Sequence, residues 1–289
     1  MPSIVIPAHN EERTLGRLLD ALLDGARDEE FDIVVVCNGC TDATARVAAE
    51  HGPRVRVVET PVPSKHEALR LGDAHARGFP RIYVDADVVL GSGDVRALTD
   101  ALSGPGDRGG EVLAAAPERE LPMTGCSWRV RAYYRVWQRL PAVREGLFGR
   151  GVIAMSGEGH ARIAALPPLM ADDLAASLAF APAERRVVRA ARVVVRPPRT
   201  WRDLIRRRVR AATSTAQLED HQTRSAPAAA PSARTGIGDL RALLRADPTL
   251  LPAVLVFLSA ALAARRGARK AIRAGDFDTW LRDESSRQD

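Results

Sequence analysis

Residues 3–23 read SIVIPAHNEERTLGRLLDALL, and this stretch opens the pattern from which the fold is read. Ser3 to Ile6 is a short β-branched run ended by Pro7. Leu15, Leu18, Leu19 and Leu22 then recur at helical spacing, so a helix is expected over 11–23, with the polar His9-Asn10 loop placed to cap it. Working outward, Phe31 to Val36 is apolar apart from Asp32, is followed by the turn Asn38-Gly39, and leads into a helix expected over 41–50. Arg54 to Val58 predicts a third strand, Lys65 to Arg77 a helix, and Arg81 to Val84 a fourth strand ending in Asp85-Ala86-Asp87. Strands alternating with helices at this spacing imply a mostly parallel sheet with helices on both faces. Ligands of such sheets bind at the carboxyl ends of the strands. That rule puts residues 7–11, 37–42 and 85–87 along one edge.

The middle of the chain is less regular. Val112 to Ala116 and Ile153 to Ser156 predict strands, and 123–140 predicts a helix carrying Trp128, Tyr133, Tyr134 and Trp137, which could stack on an acceptor but read better as helix core. Gly146 to Gly151 is a Gly-rich loop, helices are expected over 158–166 and from Asp172 to Phe180, and 186–195 holds one or two strands. A basic helix runs from Trp201 to about Leu218, and a Pro/Ala/Ser-rich linker follows. The expected organisation is a catalytic domain over 1–222, a flexible linker over 223–236 and a C-terminal helical tail over 237–289.

The whole chain has 289 residues and is 46% hydrophobic, enough to build a large core. Only 4% is aromatic, so that core must come from Ala, Val and Leu. The net charge of +6 comes from an Arg-rich composition and is weak evidence for a polyanionic partner; no nucleic acid is expected. Three cysteines make no disulfide framework and suggest a reducing, cytoplasmic setting. Cys37 and Cys40 have C-x-x-C spacing, but no second pair completes a zinc site nearby. No signal peptide is expected, and no apolar run reaches the roughly 20 residues that span a bilayer.

Asp85-Ala86-Asp87 is the sharpest chemical signal. Two carboxylates one residue apart, between the apolar runs Ile82-Tyr83-Val84 and Val88-Val89-Leu90, sit where a strand ends rather than on a solvated turn. A hard cation, Mg²⁺ or Mn²⁺, takes carboxylate and phosphate oxygens and neutralises a diphosphate leaving group.

With that motif in place, the order of the others resembles family 2 glycosyltransferases of the GT-A fold. Ser3 to Glu12 is similar to the family's opening strand and loop. Val36-Cys37-Asn38-Gly39-Cys40-Thr41-Asp42 resembles its second strand end, usually Val-Asp-Asp-Gly-Ser-Thr-Asp. Lys65-His66-Glu67-Ala68-Leu69 resembles its Lys-x-x-Ala-Leu-Asn helix start, and Asp85-Ala86-Asp87 matches its metal motif. The similarity covers about residues 3–215.

The resemblance implies a metal-dependent, inverting transfer of a sugar from a nucleotide-diphosphate donor, UDP being the commonest, to an acceptor it does not identify. Pro7, Ala8, Asn10 and Glu11 would line the nucleoside pocket, with Ala86 beside them; by spacing alone Glu11 reads equally as a carboxylate at a helix start. Asn38 replaces the family's usual base-facing Asp. An Asn both donates and accepts, which leaves the base open. Asp42 reads as a helix cap. Lys65 would approach the phosphates, and Asp87 with Asp85 would hold the metal. The pair Asp172-Asp173 falls where the family places its base, so Asp173 is the candidate base and Asp172 its neighbour. Gly149, Arg150 and Gly151 resemble the acceptor-side wall. Arg207 and Arg210 lie where relatives carry a Gln-x-x-Arg-Trp motif that steadies the diphosphate; here its Gln and Trp are missing.

Leu250 to Ala264 is almost wholly apolar, and Arg265, Arg266, Arg269 and Lys270 follow. A helix lying in a membrane surface, at the inner face of the plasma membrane, fits this pattern; so does a helix buried in a homodimer or against the catalytic domain. The region from about Leu240 is expected to be dispensable for nucleotide binding. Two other readings compete with the transferase. A sugar nucleotidyltransferase would open with a basic Gly-rich segment where this chain has Pro-Ala-His-Asn-Glu-Glu. A non-catalytic basic module, binding nucleotide or membrane, leaves the two acidic pairs unexplained.

Overall fold

The structure is a computed structural model that describes residues 1–104, 111–165, 172–225 and 235–273. Its elements are β1 (Ser3–Ala8), α1 (Leu15–Leu23), β2 (Asp32–Asn38), α2 (Thr44–Ala49), β3 (Val55–Thr60), α3 (Lys65–His75), β4 (Arg81–Val84), β5 (Val88–Leu90), α4 (Ser92–Ser103), β6 (Ala114–Glu120), α5 (Trp128–Trp137), α6 (Pro141–Glu145), β7 (Val152–Met155), α7 (Gly157–Ala164), α8 (Asp172–Ala179), β8 (Arg185–Val195), α9 (Trp201–Ser225), α10 (Ile237–Ala246) and α11 (Leu251–Arg273). All eight strands form one sheet in the order β3-β2-β1-β4-β7-β6-β8-β5. Its first half, β3-β2-β1-β4, is parallel, as the strand–helix alternation predicts. β7 then runs antiparallel to both β4 and β6, while β6 and β8 are parallel.

Each face of the parallel half is covered by a different helix. α1 buries Leu15, Leu18, Leu19 and Leu22 with Ile4, Ile6, Ile33 and Val35. α3 covers the other face, where Ala68 packs with Val34 and Val36. The two sets alternate along β2, as a strand buried on both sides requires. α3 lies so close to the sheet that a Cβ on Gly72 would sit 2.2 Å from Val5 Cγ1.

Two separately packed units can be distinguished. One holds the sheet with α1–α4 and α7; the other holds α5, α6 and α8–α11. In the second unit, α11 packs on α5 and α9. Phe257 stacks on Tyr133 with ring centroids 5.2 Å apart, and the Arg208 guanidinium lies 6.0 Å from the Tyr133 ring. A Cβ on Gly267 would meet Val209 Cγ2 at 2.5 Å, so α9 and α11 cross at close quarters.

Several elements depart from the sequence expectation. α1 begins at Leu15 rather than Glu11, because Asn10 takes φ +53° and Glu11–Thr14 close a turn through Thr14 N donating to Glu11 O at 3.0 Å. The helix expected over 123–140 is shorter, α5 over Trp128–Trp137, and a separate short helix, α6, starts at Pro141 after Leu140 turns extended. α4 is not among the expected helices, although Val95, Leu98 and Leu102 recur at helical spacing and are its buried face. The C-terminal apolar run is longer than expected: Pro248–Arg273 is one helical stretch, long and apolar enough to cross a membrane by length and composition, and a third of its most apolar part is buried in the protein. Of the expected linker, Thr223–Ser225 end α9 and 226–234 lie outside the described residues, as do 274–289 of the tail.

Candidate active site

The carboxyl ends of β1, β2 and β4 come level because of register. Ala8 pairs with Cys37, Cys37 with Glu59, and Val5 with Tyr83. The loops that leave these ends therefore meet, and their hydrogen bonds cross between them. The Asn10 side chain accepts from Thr41 N at 2.7 Å, and Cys40 Sγ donates to Ala8 O at 3.4 Å. Glu11 N donates to Thr44 Oγ1 at 2.7 Å, while the buried Glu11 carboxylate accepts from Thr14 Oγ1 at 2.8 Å. Asp42 Oδ1 accepts from Thr44 N at 3.0 Å across the turn that enters α2, although the cap position itself is Ala43 rather than Asp42.

Asn38 is only 2% exposed. In the orientation its neighbours dictate, its amide donates to Ala8 O at 2.7 Å and accepts from Ser64 N at 3.2 Å. Its own carbonyl contacts His9 Nδ1 at 2.5 Å. The side chain expected to face a base thus braces three segments. One of them is the N-cap of α3, where Ser64 Oγ accepts from Glu67 N at 3.3 Å. Gly39 makes the adjoining turn at φ +60°, with Pro63 against it so tightly that a Cβ would fall 2.8 Å from Pro63 Cβ.

That brace fixes where Lys65 begins. From the first residue of α3, Lys65 Nζ reaches Asp85 Oδ1 at 2.8 Å, both side chains about two-fifths exposed. Asp85 is held from behind as well: its N–H donates to Gly151 O at 2.7 Å. Gly151 has φ +67°, and a Cβ there would lie 2.6 Å from Val88 Cγ1 and 3.3 Å from Asp85 Oδ2. The expected acceptor wall is therefore, on this side, the backing of the acidic motif. Asp87 is partly exposed, and Ala86 between the two is buried.

Arg150 is 2% exposed and donates from Nη1 to Pro117 O at 2.9 Å. Burial pulls its pKa down to about 10, opposed by the charge of Glu118. Its side chain ties the glycine loop to β6, and Gly149 O accepts from Arg119 Nη1 at 3.4 Å. Cys37 is buried, and burial first, then the neighbouring Cys40, pushes its thiol up to about 12.

The remaining expected residues lie in the other unit. Asp172 and Asp173 are the first residues of α8, and Arg207 and Arg210 are half-buried on α9. Tyr133 and Tyr134 are core, as expected, whereas Trp128 is exposed. Ser64 was missed in the sequence, and His9 was read only as part of a capping loop, not as a contact of Asn38. Ser64 carried a signal, the Ser-x-x-Glu spacing of a helix start over 64–67; His9 had none.

The sequence profile described as glycosyl transferase family 2 matches residues 3–112. An uncharacterized glycosyltransferase of Mycobacterium tuberculosis is 33% identical over 169 residues, which span 52% of this chain and 71% of that protein. The 4,4'-diaponeurosporenoate glycosyltransferase of Staphylococcus aureus is 34% identical over 120 residues, 40% of this chain but only 31% of that enzyme. Among solved structures, a mannosyltransferase from Pyrobaculum calidifontis in complex with GDP-Man and Mn²⁺ covers 99% of this chain and 84% of its own, with a TM-score of 0.59 at 20% identity, a likeness of fold. On the matched motifs, the sheet that brings them together and the coverage of the mycobacterial relative, the chain belongs to glycosyl transferase family 2 and is a glycosyltransferase.

Proposed function

We propose that this enzyme transfers a sugar, with inversion, from a nucleotide diphosphate to an acceptor nucleophile, using a divalent metal at Asp85 and Asp87. The observation that carries the reading is the Asp85 carboxylate at the end of β4, paired with Lys65 at 2.8 Å and backed by Gly151. The donor set suits Mg²⁺ or Mn²⁺. Asp87 and Asp85 offer two carboxylates at one strand end, and no cluster of three ligating side chains occurs among the described residues. Two carboxylates alone would leave a bound hard ion open to further oxygen ligands, which suits a site that must accept a diphosphate. When bound, the ion neutralises the charge of the diphosphate leaving group.

The residues of the chain do the rest. Pro7, Ala8, Asn10, Glu11 and Ala86 border the nucleoside, on loops locked together by hydrogen bonds. Lys65 exchanges its carboxylate partner for phosphate oxygens. Asn38, whose amide is engaged by Ala8 O and Ser64 N, shapes the base pocket by holding its walls. Asp173 takes the acceptor hydroxyl proton as that oxygen bonds to the anomeric carbon and the bond to the diphosphate breaks on the opposite face. Asp172 orients the acceptor, the backbone of Gly149, Arg150 and Gly151 walls it, and Arg207 and Arg210 steady the departing diphosphate. These last assignments rest on the sequence resemblance. UDP is the first donor to test, and the complex of the Pyrobaculum calidifontis mannosyltransferase with GDP-Man and Mn²⁺ makes GDP the second.

A thermal-shift panel with UDP, GDP and dTDP, each with Mn²⁺ and then with EDTA, tests the reading. A nucleotide at ~100 times its Kd stabilises by about 2.7 kcal/mol, a rise on the order of 5 °C or more. The rise should need Mn²⁺ and vanish in Asp87→Ala. A full rise in EDTA, or in Asp87→Ala, overturns the metal assignment.

A further inference from the structure

One face of α11 has no protein partner among the described residues, and it changes character along its length. The buried face, Ala253, Val254, Phe257, Ala260, Ala264 and Ala268, packs into the second unit. On the opposite side Leu251, Leu255, Leu258 and Leu262 stand 51%, 59%, 40% and 53% exposed. Their spacing of four, three and four residues makes one straight stripe about 16 Å long, from the helical rise. The same line continues through Arg265, Arg266, Arg269 and Arg273, all exposed, at the spacing that keeps them on the stripe. Arg266, Arg269, Lys270 and Arg273 also line a shallow surface groove.

We propose that this stripe is a docking surface for a bilayer containing anionic lipid, with α11 lying in the plane of the interface. The leucines enter the boundary between headgroups and acyl chains, and the four cations of the groove take lipid phosphates. Four leucines in line on a soluble surface are exposed at a cost that burial against acyl chains removes. A second copy laying the same stripe against it would offer leucines but set cations against cations, since α11 itself carries no carboxylate; an anionic bilayer offers both apolar chains and anions. The helix lies on the membrane rather than across it, because its other face is occupied by α5 and α9. Those helices carry Arg129, Arg131, Arg135, Arg206, Arg207 and Arg208, which cannot follow α11 into hydrocarbon. This inference is independent of the transfer chemistry proposed above.

The test is flotation of the full chain with vesicles of phosphatidylcholine alone and of phosphatidylcholine mixed with phosphatidylglycerol, at low and high salt. The wild type should float with the anionic vesicles and be released by salt. Leu255→Ser/Leu258→Ser/Leu262→Ser should abolish flotation, and these exposed positions leave the unfolding temperature unchanged. Arg266→Gln/Arg269→Gln/Lys270→Gln should weaken binding more than tenfold, at about fivefold per cation near an anionic surface, and should erase the salt response. No flotation of the wild type overturns the proposal, as does flotation that both variants retain. A wild type that is dimeric by light scattering, made monomeric by the leucine variant with no vesicle binding in either, assigns the stripe to a second copy and overturns it too.

Discussion

Gly151→Ala separates the backbone requirement of the glycine loop from its steric one. Two energies act at this position. Its φ of +67° is a left-handed conformation, which costs an L-residue ~1–2 kcal/mol. The new Cβ would also lie 2.6 Å from Val88 Cγ1 and 3.3 Å from Asp85 Oδ2. Relieving such overlap in a packed site typically costs ~1–3 kcal/mol, so the expected total is about 2–5 kcal/mol. Gly52 supplies the control, since it has φ +64° with nothing within 4 Å of the position a Cβ would take. Gly52→Ala should lose only the conformational part, about 1–2 kcal/mol. The loss of unfolded-state entropy on going from Gly to Ala is common to both and cancels. Urea unfolding measures the two losses, and the Mn²⁺–nucleotide thermal shift measures the consequence for the site. The clash pushes on Asp85, so Gly151→Ala should shrink the nucleotide shift while Gly52→Ala leaves it whole. Equal losses of stability, with equal nucleotide shifts, would refute the claim that Gly151 is kept small by Val88 and the acidic motif.

Asp173→Asn should lower kcat by ~10²–10⁴-fold with little change in donor affinity, and Asp172→Asn should cost less; near-normal turnover in the first with a severe loss in the second reverses the two roles. Phe257→Ala should destabilise by about 3–5 kcal/mol, because it opens a cavity against Tyr133, whereas Leu258→Ala on the exposed side should stay within about 0.5 kcal/mol in the same urea titration. That contrast also bears on truncation at Ser225, which strips α11 from α5 and α9 and should give a chain that aggregates, contrary to the dispensability expected from the sequence. Glu30 is held down to about 2 from 4.5, first by the Arg96 side chain and then by Arg27 N. A lowered folded-state pKa contributes stability above pH 4.5 that is lost as pH falls towards 2, so Arg96→Gln should flatten the acid limb of stability in that window; an unchanged limb removes the pair from the account.

Much of the site could be read before any coordinates. β1 to β4, the helices between them, and Asp85-Ala86-Asp87 at a strand end follow from local periodicity, turn residues and the rule that parallel strands collect ligands at their carboxyl ends. The same information could not say what Asn38 does. Its amide is taken by Ala8 O and Ser64 N, contacts 30 and 26 residues away along the chain, and only the register of β1 and β2 with the entry into α3 brings them together. Nor could it join Lys65 to Asp85, or set Gly151 behind Asp85, since β7 arrives at β4 antiparallel after a long excursion. For the C-terminal run, composition determined that the segment is apolar and then basic. Which leucines face out is a different matter. α5 and α9 decided it by covering the alanine and Phe257 side of α11, because a helix apolar nearly all round takes its inner face from whatever packs against it.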